Sequence, residues 1–252
     1  MSTYDIATLR AKIATVNVWY HAIEVAPGLV TPGLYDMRPF LEVYQFPSDL
    51  SSKSVLDVGA SNGFFTFQFE KLGAKHLVAT NLGSYLDHDY PQWYKDALTR
   101  SRTREELAAA TWHESTGGFE VARECLGSKA QHVMSRIYDL PGVVSGQFDF
   151  VFCGSVLVHL RDPSAALEAI REVMVPGGTA VIATCIDTTR PDTSYALFNG
   201  KPEEVSWWVF SPEGLMRTCR MSGFRSITWV DSFVVASKHG FTDTIGIVHL
   251  HR

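Results

Sequence analysis

Three things are scarce in this chain: basic charge, cysteine and long apolar runs. Its 22 lysines and arginines stand against 27 aspartates and glutamates, a net charge of −5. The basic footprint of a nucleic-acid binder is therefore missing. Arg100, Arg102 and Arg104 do cluster, but Glu105 and Glu106 follow at once, so the segment reads as a solvated helix start. The 4 cysteines, Cys125, Cys153, Cys185 and Cys219, form no CxxC pair and have no metal-ligand spacing to a histidine. Reduced thiols are expected, with Cys153 and Cys185 acting as small apolar residues in strands. No His, Asp and Glu cluster has metal spacing either, so no metal is expected. The first 21 residues hold no apolar core of signal-peptide length, and nothing later approaches a membrane span. These shortages point to a cytoplasmic protein with neither membrane nor nucleic acid as partner.

What is present is an ordinary globular composition: 252 residues, 46% hydrophobic and 19% charged, enough for one large α/β domain. Ile6, Leu9, Ile13 and Val16 recur at helical spacing and predict an amphipathic helix whose stripe needs a partner surface, either this chain or a second copy in a homodimer. From Trp19 to Asp49 aromatics and Pro-Gly pairs suggest a turn-rich lid. After Lys53 strands and helices alternate. Strands are predicted at 54–58, 76–81, 132–138, 148–153 and 179–186, and helices at 62–72, near 118–126 and at 163–174. Such alternation predicts a parallel sheet covered by helices. Segments 84–116 and 188–210 interrupt it as insertions over the crevice, before a helix at 211–222 and strands at 225–232 and near 243–250.

The stretch from Ser54 to Phe65, SVLDVGASNGFF, carries most of the chemistry. A glycine at a strand end permits positive φ and a close approach to the backbone, and the following helix offers free N–H groups. The same letters spell GxSxG, the nucleophile elbow of a serine hydrolase using Ser61. That reading needs preceding strands and an oxyanion loop, which are missing; only His249 and His251 could nominally complete a triad. A nicotinamide cofactor is disfavoured by the incomplete GxGxxG and by the lack of an acid ending the second strand.

Asp57, Gly59 and Gly63, with Ala60 and Ser61 between the glycines, resemble the DxGxGxG loop of class I S-adenosylmethionine-dependent methyltransferases. The register continues through Asn81-Leu82 after the second strand, Asp139-Leu140 after the third, Gly154-Ser155 in FDFVFCGSVLVHLRDP and the VMVPGG turn. WYHAIE, VTPG, FFTFQFEKLGA and VFSPEGLMRTCRMSGF look similar to the branch of tRNA wobble-uridine carboxymethyltransferases and their small-molecule-modifying relatives. The resemblance implies a Rossmann-like, doubly wound, mostly parallel seven-stranded sheet with an antiparallel last strand. It implies a helical and aromatic lid over 1–53, a methyltransferase domain over 54–252, and S-adenosyl-L-methionine as cofactor. Asp57, Gly59, Ala60, Ser61, Gly63, Asn81, Leu82, Asp139, Leu140, Gly154 and Ser155 would bind it, with Asn81 at the ribose and Asp139 at the adenine. Val158 stands where the tRNA enzymes place the tyrosine that reads a carboxylated cofactor, so the ordinary cofactor is expected.

Methyl transfer to a hydroxyl or a protonated amine needs a base, and His159, His21 and His88 are the candidates. Asp87 and Asp89 would raise the pKa of His88 if they meet its ring. Each histidine also has a plainer reading: His159 buried and bonded to its local turn, His21 packed against the core, His88 in an exposed, solvated Asp-His-Asp turn. His113, His132 and His239 have no supporting context. Tyr85, Trp93, Tyr94, Trp207 and Trp208 suggest a cage for an apolar or aromatic small molecule. The expected activity is methyl transfer to an O, N or C nucleophile in specialised metabolism, with a degenerate cofactor-binding domain as the alternative.

Overall fold

β-branched and aromatic runs build the sheet, and their alternation decides which layer each residue joins. The computed structural model describes residues 5–111 and 116–252; His113 and part of the first insertion lie outside them. The strands are β3 (Ser54–Val58), β4 (His76–Asn81), β5 (Gln131–Met134), β6 (Phe148–Gly154), β7 (Met174–Cys185), β10 (Ser226–Ala236) and β11 (Thr242–His251), after a short hairpin of β1 (Glu24–Ala26) and β2 (Leu29–Val30). Their order is β10-β11-β7-β6-β3-β4-β5. The five from β7 to β5 run parallel, and β11 is antiparallel to both of its neighbours. This is the expected sheet.

Side-chain alternation sends Val55, Phe150, Phe152, Val181 and Ile247 to one face, and Leu56, Val58, Val151, Cys153, Ile182 and Val248 to the other. The first face is aromatic. It is covered by α2 (Phe64–Lys71), α5 (Gly117–Leu126) and the N-terminal segment, whose Trp19, Ile23, Tyr44 and Leu50 belong to the same core. The second is covered by α6 (Leu140–Val143), α7 (Pro163–Glu172) and α8 (Pro212–Met221). Asp162 and Ser211 cap α7 and α8, accepting from the backbone N–H of Ala165 and Gly214, each with proline at the first helical position.

The N-terminal helix α1 (Ile6–Ile13) buries Leu9 and Ile13 in this core and ion-pairs with α5 through Lys12 and Glu124. The surface its stripe needed is thus supplied by its own chain. Three local readings differ from the sequence. Residues 19–49 are more regular than a turn-rich lid, with a hairpin turning at Pro27-Gly28 and a 3-10 helix at Arg38–Tyr44. β5 stops at Met134, and the chain bends into a 3-10 turn at Ile137–Asp139 before α6. The insertions also hold regular structure: α3 (Gln92–Ser101) and α4 (Arg104–Thr111) in the first, and an antiparallel hairpin of β8 (Ala196–Lys201) and β9 (Ser206–Phe210) in the second. Among the described residues no helix is long and apolar enough to cross a membrane.

Candidate active site

The parallel strands end together, and the loops leaving β3, β4, β6 and β7 converge there. Gly59 has φ +73, and a Cβ on it would come within 2.5 Å of Val156 Cγ2. The close approach foreseen at this glycine is therefore made by the loop after β6. The N–H groups of Gly59 and Ala60 both donate to the carbonyl of Thr80. Gly63, φ +90, starts α2 without a side-chain cap, an arrangement that presents helix N–H groups to a ligand. Ser61 and Ser155 hold φ +50 and +56 at the ends of the first and fourth parallel strands. Left-handed backbone is unfavourable for residues with a Cβ and clusters at functional sites.

Asp57 lies under this loop, fully enclosed, and accepts from Thr66 Oγ1 at 2.5 Å. Burial pushes its carboxyl up to about 7, against the hydrogen bonds from Thr66. Asn81, the expected ribose contact, is buried and its amide is turned inward. Oδ1 accepts from Ser61 N–H at 2.8 Å, while Nδ2 donates to Ser61 O at 2.9 Å and meets His132 Nε2 at 2.9 Å. Leu82 is half-buried beyond it. Asp139 is exposed on the loop after β5. Leu140 is wholly buried in the core, and its N–H is held by the carbonyl of Ile137. Gly154 is half-buried, and Ser155 N–H bonds to Ala183 O at 2.7 Å.

These residues fit an S-adenosyl group in one specific way. Gly59 and Gly63 give the loop positive φ, the helix behind it is uncapped, and the buried Nδ2 of Asn62 in the same loop has no hydrogen-bond partner. Asn62 escaped the sequence reading; its Oδ1 accepts from the N–H of Tyr20 and so ties the N-terminal segment to the loop.

The histidines separate by environment. His159 is half-buried, and its Nδ1 lies 3.0 Å from the carbonyl of Val205. A carbonyl only accepts, so the neutral ring carries its proton at Nδ1 and its lone pair at Nε2. Burial lowers its pKa, opposed by the Val205 and Glu204 backbone and by Asp243. Val205 adopts φ +49, an outlier for a β-branched residue, and it packs with Tyr90 and Leu98 of the first insertion. His21 is buried against Tyr20, Phe64 and Phe65, with ring centroids 4.8–5.8 Å away and no partner at Nδ1. Burial takes it down to about 3. His88 corrects both expectations, the raised pKa and the exposed turn: it lies between Tyr85 and Tyr90, and burial, then the His159 charge, lowers it to about 4. Its neighbour Asp89 is held by Arg136 Nη2, Tyr138 Oη and the N–H of Arg161.

The two insertions form one roof. Trp207 Nε1 donates to Asp89 O at 3.0 Å and Trp208 Nε1 to Arg161 O at 3.1 Å. Tyr85 and Tyr94 pack beside Tyr90, whereas Trp93 is 61% exposed and stands outside the expected cage. A polar group near the crevice was also missed: Tyr35 Oη donates to Asp243 Oδ2 at 3.2 Å, and burial pushes Tyr35 up to about 12. Nothing local marks Asp243, which the N-terminal segment reaches across 208 positions. His249 and His251 pair with Val181 and Thr179, well below the end of β7, so neither reaches Ser61 as a hydrolase triad requires.

Comparison with known proteins agrees with this geometry. The family model of a methyltransferase domain matches residues 35–233. The tRNA U34 carboxymethyltransferase of Pseudomonas fluorescens (strain SBW25) is 26% identical over 189 residues, covering 73% of this chain and 49% of that protein. The homologous protein of Idiomarina loihiensis gives the same identity and coverage. The chain thus spans about half the length of the curated relatives it matches. The N-terminal domain of EvdMO1, crystallised in the presence of SAH and D-fucose, superposes with a TM-score of 0.60 at 16% identity, covering 99% of this chain and 98% of that one. A SAM-dependent methyltransferase from Aquifex aeolicus gives 0.51 at 18% identity, over 86% and 90% of the two chains. With the match covering well over half of its residues and the sheet in the same fold, this chain belongs to the methyltransferase domain family, in the class I form whose members draw their methyl group from S-adenosylmethionine.

Proposed function

We propose that the protein transfers a methyl group from S-adenosylmethionine to a nucleophilic O, N or C atom of a small molecule, with His159 as the base. The observation that carries this reading is the bond from His159 Nδ1 to Val205 O at 3.0 Å. It orients the imidazole with Nε2 basic, beside the loop after β6. The cofactor supplies an activated sulfonium methyl, so the protein needs only to align the nucleophile and accept its proton.

The loop from Gly59 to Gly63, with Asn62, would hold the cofactor's amino-acid end, and Asp139 its adenine. His159 takes the acceptor's proton at Nε2, while the Val205 carbonyl stabilises the resulting imidazolium. His21 and His88 are kept neutral by burial, His21 among Tyr20, Phe64 and Phe65 and His88 between Tyr85 and Tyr90. The tie from Trp207 to Asp89, which joins the two insertions, and that from Trp208 to Arg161 after β6 favour a small acceptor. The net charge of −5 opposes a tRNA acceptor, and the structural neighbour crystallised with SAH and D-fucose supports a small one.

Calorimetry with S-adenosylhomocysteine, followed by transfer of labelled methyl to a panel of small hydroxyl, amine and carbon acceptors and to tRNA, tests the proposal. Binding with small-molecule labelling is expected. Label entering only tRNA would overturn the substrate class, and binding without any transfer would mark a degenerate domain.

A further inference from the structure

Asn81 ends the second parallel strand, yet its side chain faces the protein and not the crevice. Both ends of its amide close on a single residue, Ser61, whose N–H and C=O are each bonded at 2.8 and 2.9 Å. Ser61 holds φ +50 between two glycines of positive φ, and unlike them it carries a Cβ, so this two-point clamp holds an unfavourable conformation in place. The second hydrogen of Nδ2 points to His132 Nε2 at 2.9 Å. That nitrogen must accept, which places the ring proton on Nδ1, 2.7 Å from Glu120 Oε1. The other oxygen of Glu120 accepts from Arg123 Nη2 at 2.5 Å. The His132 side chain is 3% exposed and stacks on Phe119 with centroids 3.9 Å apart.

We propose that Asn81, backed by His132 and Glu120, is a positioning residue that holds the cofactor loop from beneath, and that this chain needs an amide and a neutral imidazole at these two positions. The inference rests on the reading of residues 59–63 as the S-adenosyl loop. Its chemistry is one of donors and acceptors. An asparagine supplies two donors and an acceptor in the directions that Ser61 O, His132 Nε2 and Ser61 N–H require. An aspartate would set an oxygen against Ser61 O and His132 Nε2, leaving both without a donor.

Protonation of His132 acts the same way. An N–H at Nε2 would face the Nδ2 donor, and flipping the amide to accept it would oppose both groups of Ser61. The charged groups facing the ring are Glu120 and Arg123, both on α5, while β4 presents neutral Asn81. Burial disfavours the imidazolium, Glu120 favours it and Arg123 disfavours it, with a net lowering. The clamp is therefore intact at neutral pH and opens on the acid side.

The test uses the full chain and S-adenosylhomocysteine as the probe. Calorimetry compares wild type, N81D, H132Q and H132F from pH 5.5 to 8, with an analogue lacking the ribose hydroxyls as second ligand. Hydrogen exchange of the Ser61 amide is read without ligand. N81D is expected to weaken binding about tenfold or more at pH 7.5, equally for both ligands, and to speed Ser61 exchange. Wild-type affinity should fall as the His132 imidazole resonance titrates. H132Q, whose carbonyl can accept from Asn81, should keep affinity within about threefold and lose the pH dependence, whereas H132F should resemble N81D. Binding by N81D as tight as wild type or tighter, or a loss confined to the ligand with ribose hydroxyls, would overturn the proposal and return residue 81 to the ribose. If wild type does not bind the probe, the cofactor reading fails on its own; unchanged Ser61 exchange in N81D is what then sinks the clamp.

Discussion

The buried carboxyl of Asp57 accepts a hydrogen bond from the Thr66 hydroxyl at 2.5 Å, joining the end of β3 to the first turn of α2 beneath the loop of residues 59–63. Burial raises its pKa to about 7 from 3.8. The folded state therefore binds a proton that the unfolded chain has released between those values, and stability falls as pH rises through that window. Asp57→Asn keeps an acceptor for Thr66 and removes this cost. Its unfolding free energy, followed by thermal melts, should exceed that of wild type at pH 8 by an amount on the order of 1–3 kcal/mol, and the gap should close towards pH 4.

His21 carries the opposite sign. Its folded pKa is about 3, so below the ordinary value of 6.5 the unfolded chain binds the extra proton and wild type loses stability as pH falls. His21→Phe fits the same aromatic surroundings and removes the unpartnered Nδ1. Denaturant melts at pH 7 and pH 4.5 should show the variant gaining on wild type at the lower pH by about 1–3 kcal/mol. An equal loss of stability at both values would contradict the neutral buried state.

For His159 the readout is catalytic. His159→Ala should lower turnover by about 10²–10⁴ while leaving S-adenosylhomocysteine affinity unchanged. Because its pKa is lowered, the acid limb of the wild-type rate profile should lie below pH 6.5 and the plateau should span pH 7–8. A limb centred above 6.5 would assign the base elsewhere.

Ser61 combines a strained backbone with an expected cofactor contact. Ser61→Gly should raise the melting temperature, by about 0.5–1 kcal/mol in stability, since glycine accepts φ +50 without a Cβ. Ser61→Ala keeps the strain and loses the hydroxyl. If that hydroxyl touches the cofactor, both variants lose a few-fold in affinity for S-adenosylhomocysteine by calorimetry; unaltered affinity in both would remove it from the binding set.

Gly118 shows how tightly α5 is seated on the loop. A Cβ there would fall 2.0 Å from Asn62 Nδ2 and 2.8 Å from its Cγ. Gly118→Ala must displace Asn62, and with it the bond to Tyr20. A cost of about 1–3 kcal/mol and a clear loss of S-adenosylhomocysteine affinity are expected, measured by melting and calorimetry. A wild-type response in both would mean that Asn62 is free to move.

Much of the frame was legible because it is written locally. The run SVLDV followed by GASNG marked β3 and its loop to the residue, and HLVATN marked β4. The helices expected at 163–174 and 211–222 start at Pro163 and Pro212. His88 was misread for an equally physical reason: two flanking acids suggest a charged turn, but the turn is roofed by Tyr85 and Tyr90 and Asp89 is turned towards Arg136 and Tyr138. His132 had no local signal at all, since its partners lie 51 positions before it and one helix away.

Local sequence carried the parallel sheet, most helix starts and the glycine turn between β3 and α2, because strand propensity, caps and glycine backbone freedom act over a few neighbouring residues. Tertiary structure alone decided what those residues do once in place. It turned Asn81 inward onto Ser61, set His159 under Val205 and brought Tyr35 to Asp243. Each is a hydrogen bond between distant segments, and burial, which no local pattern records, is what gives it direction and strength.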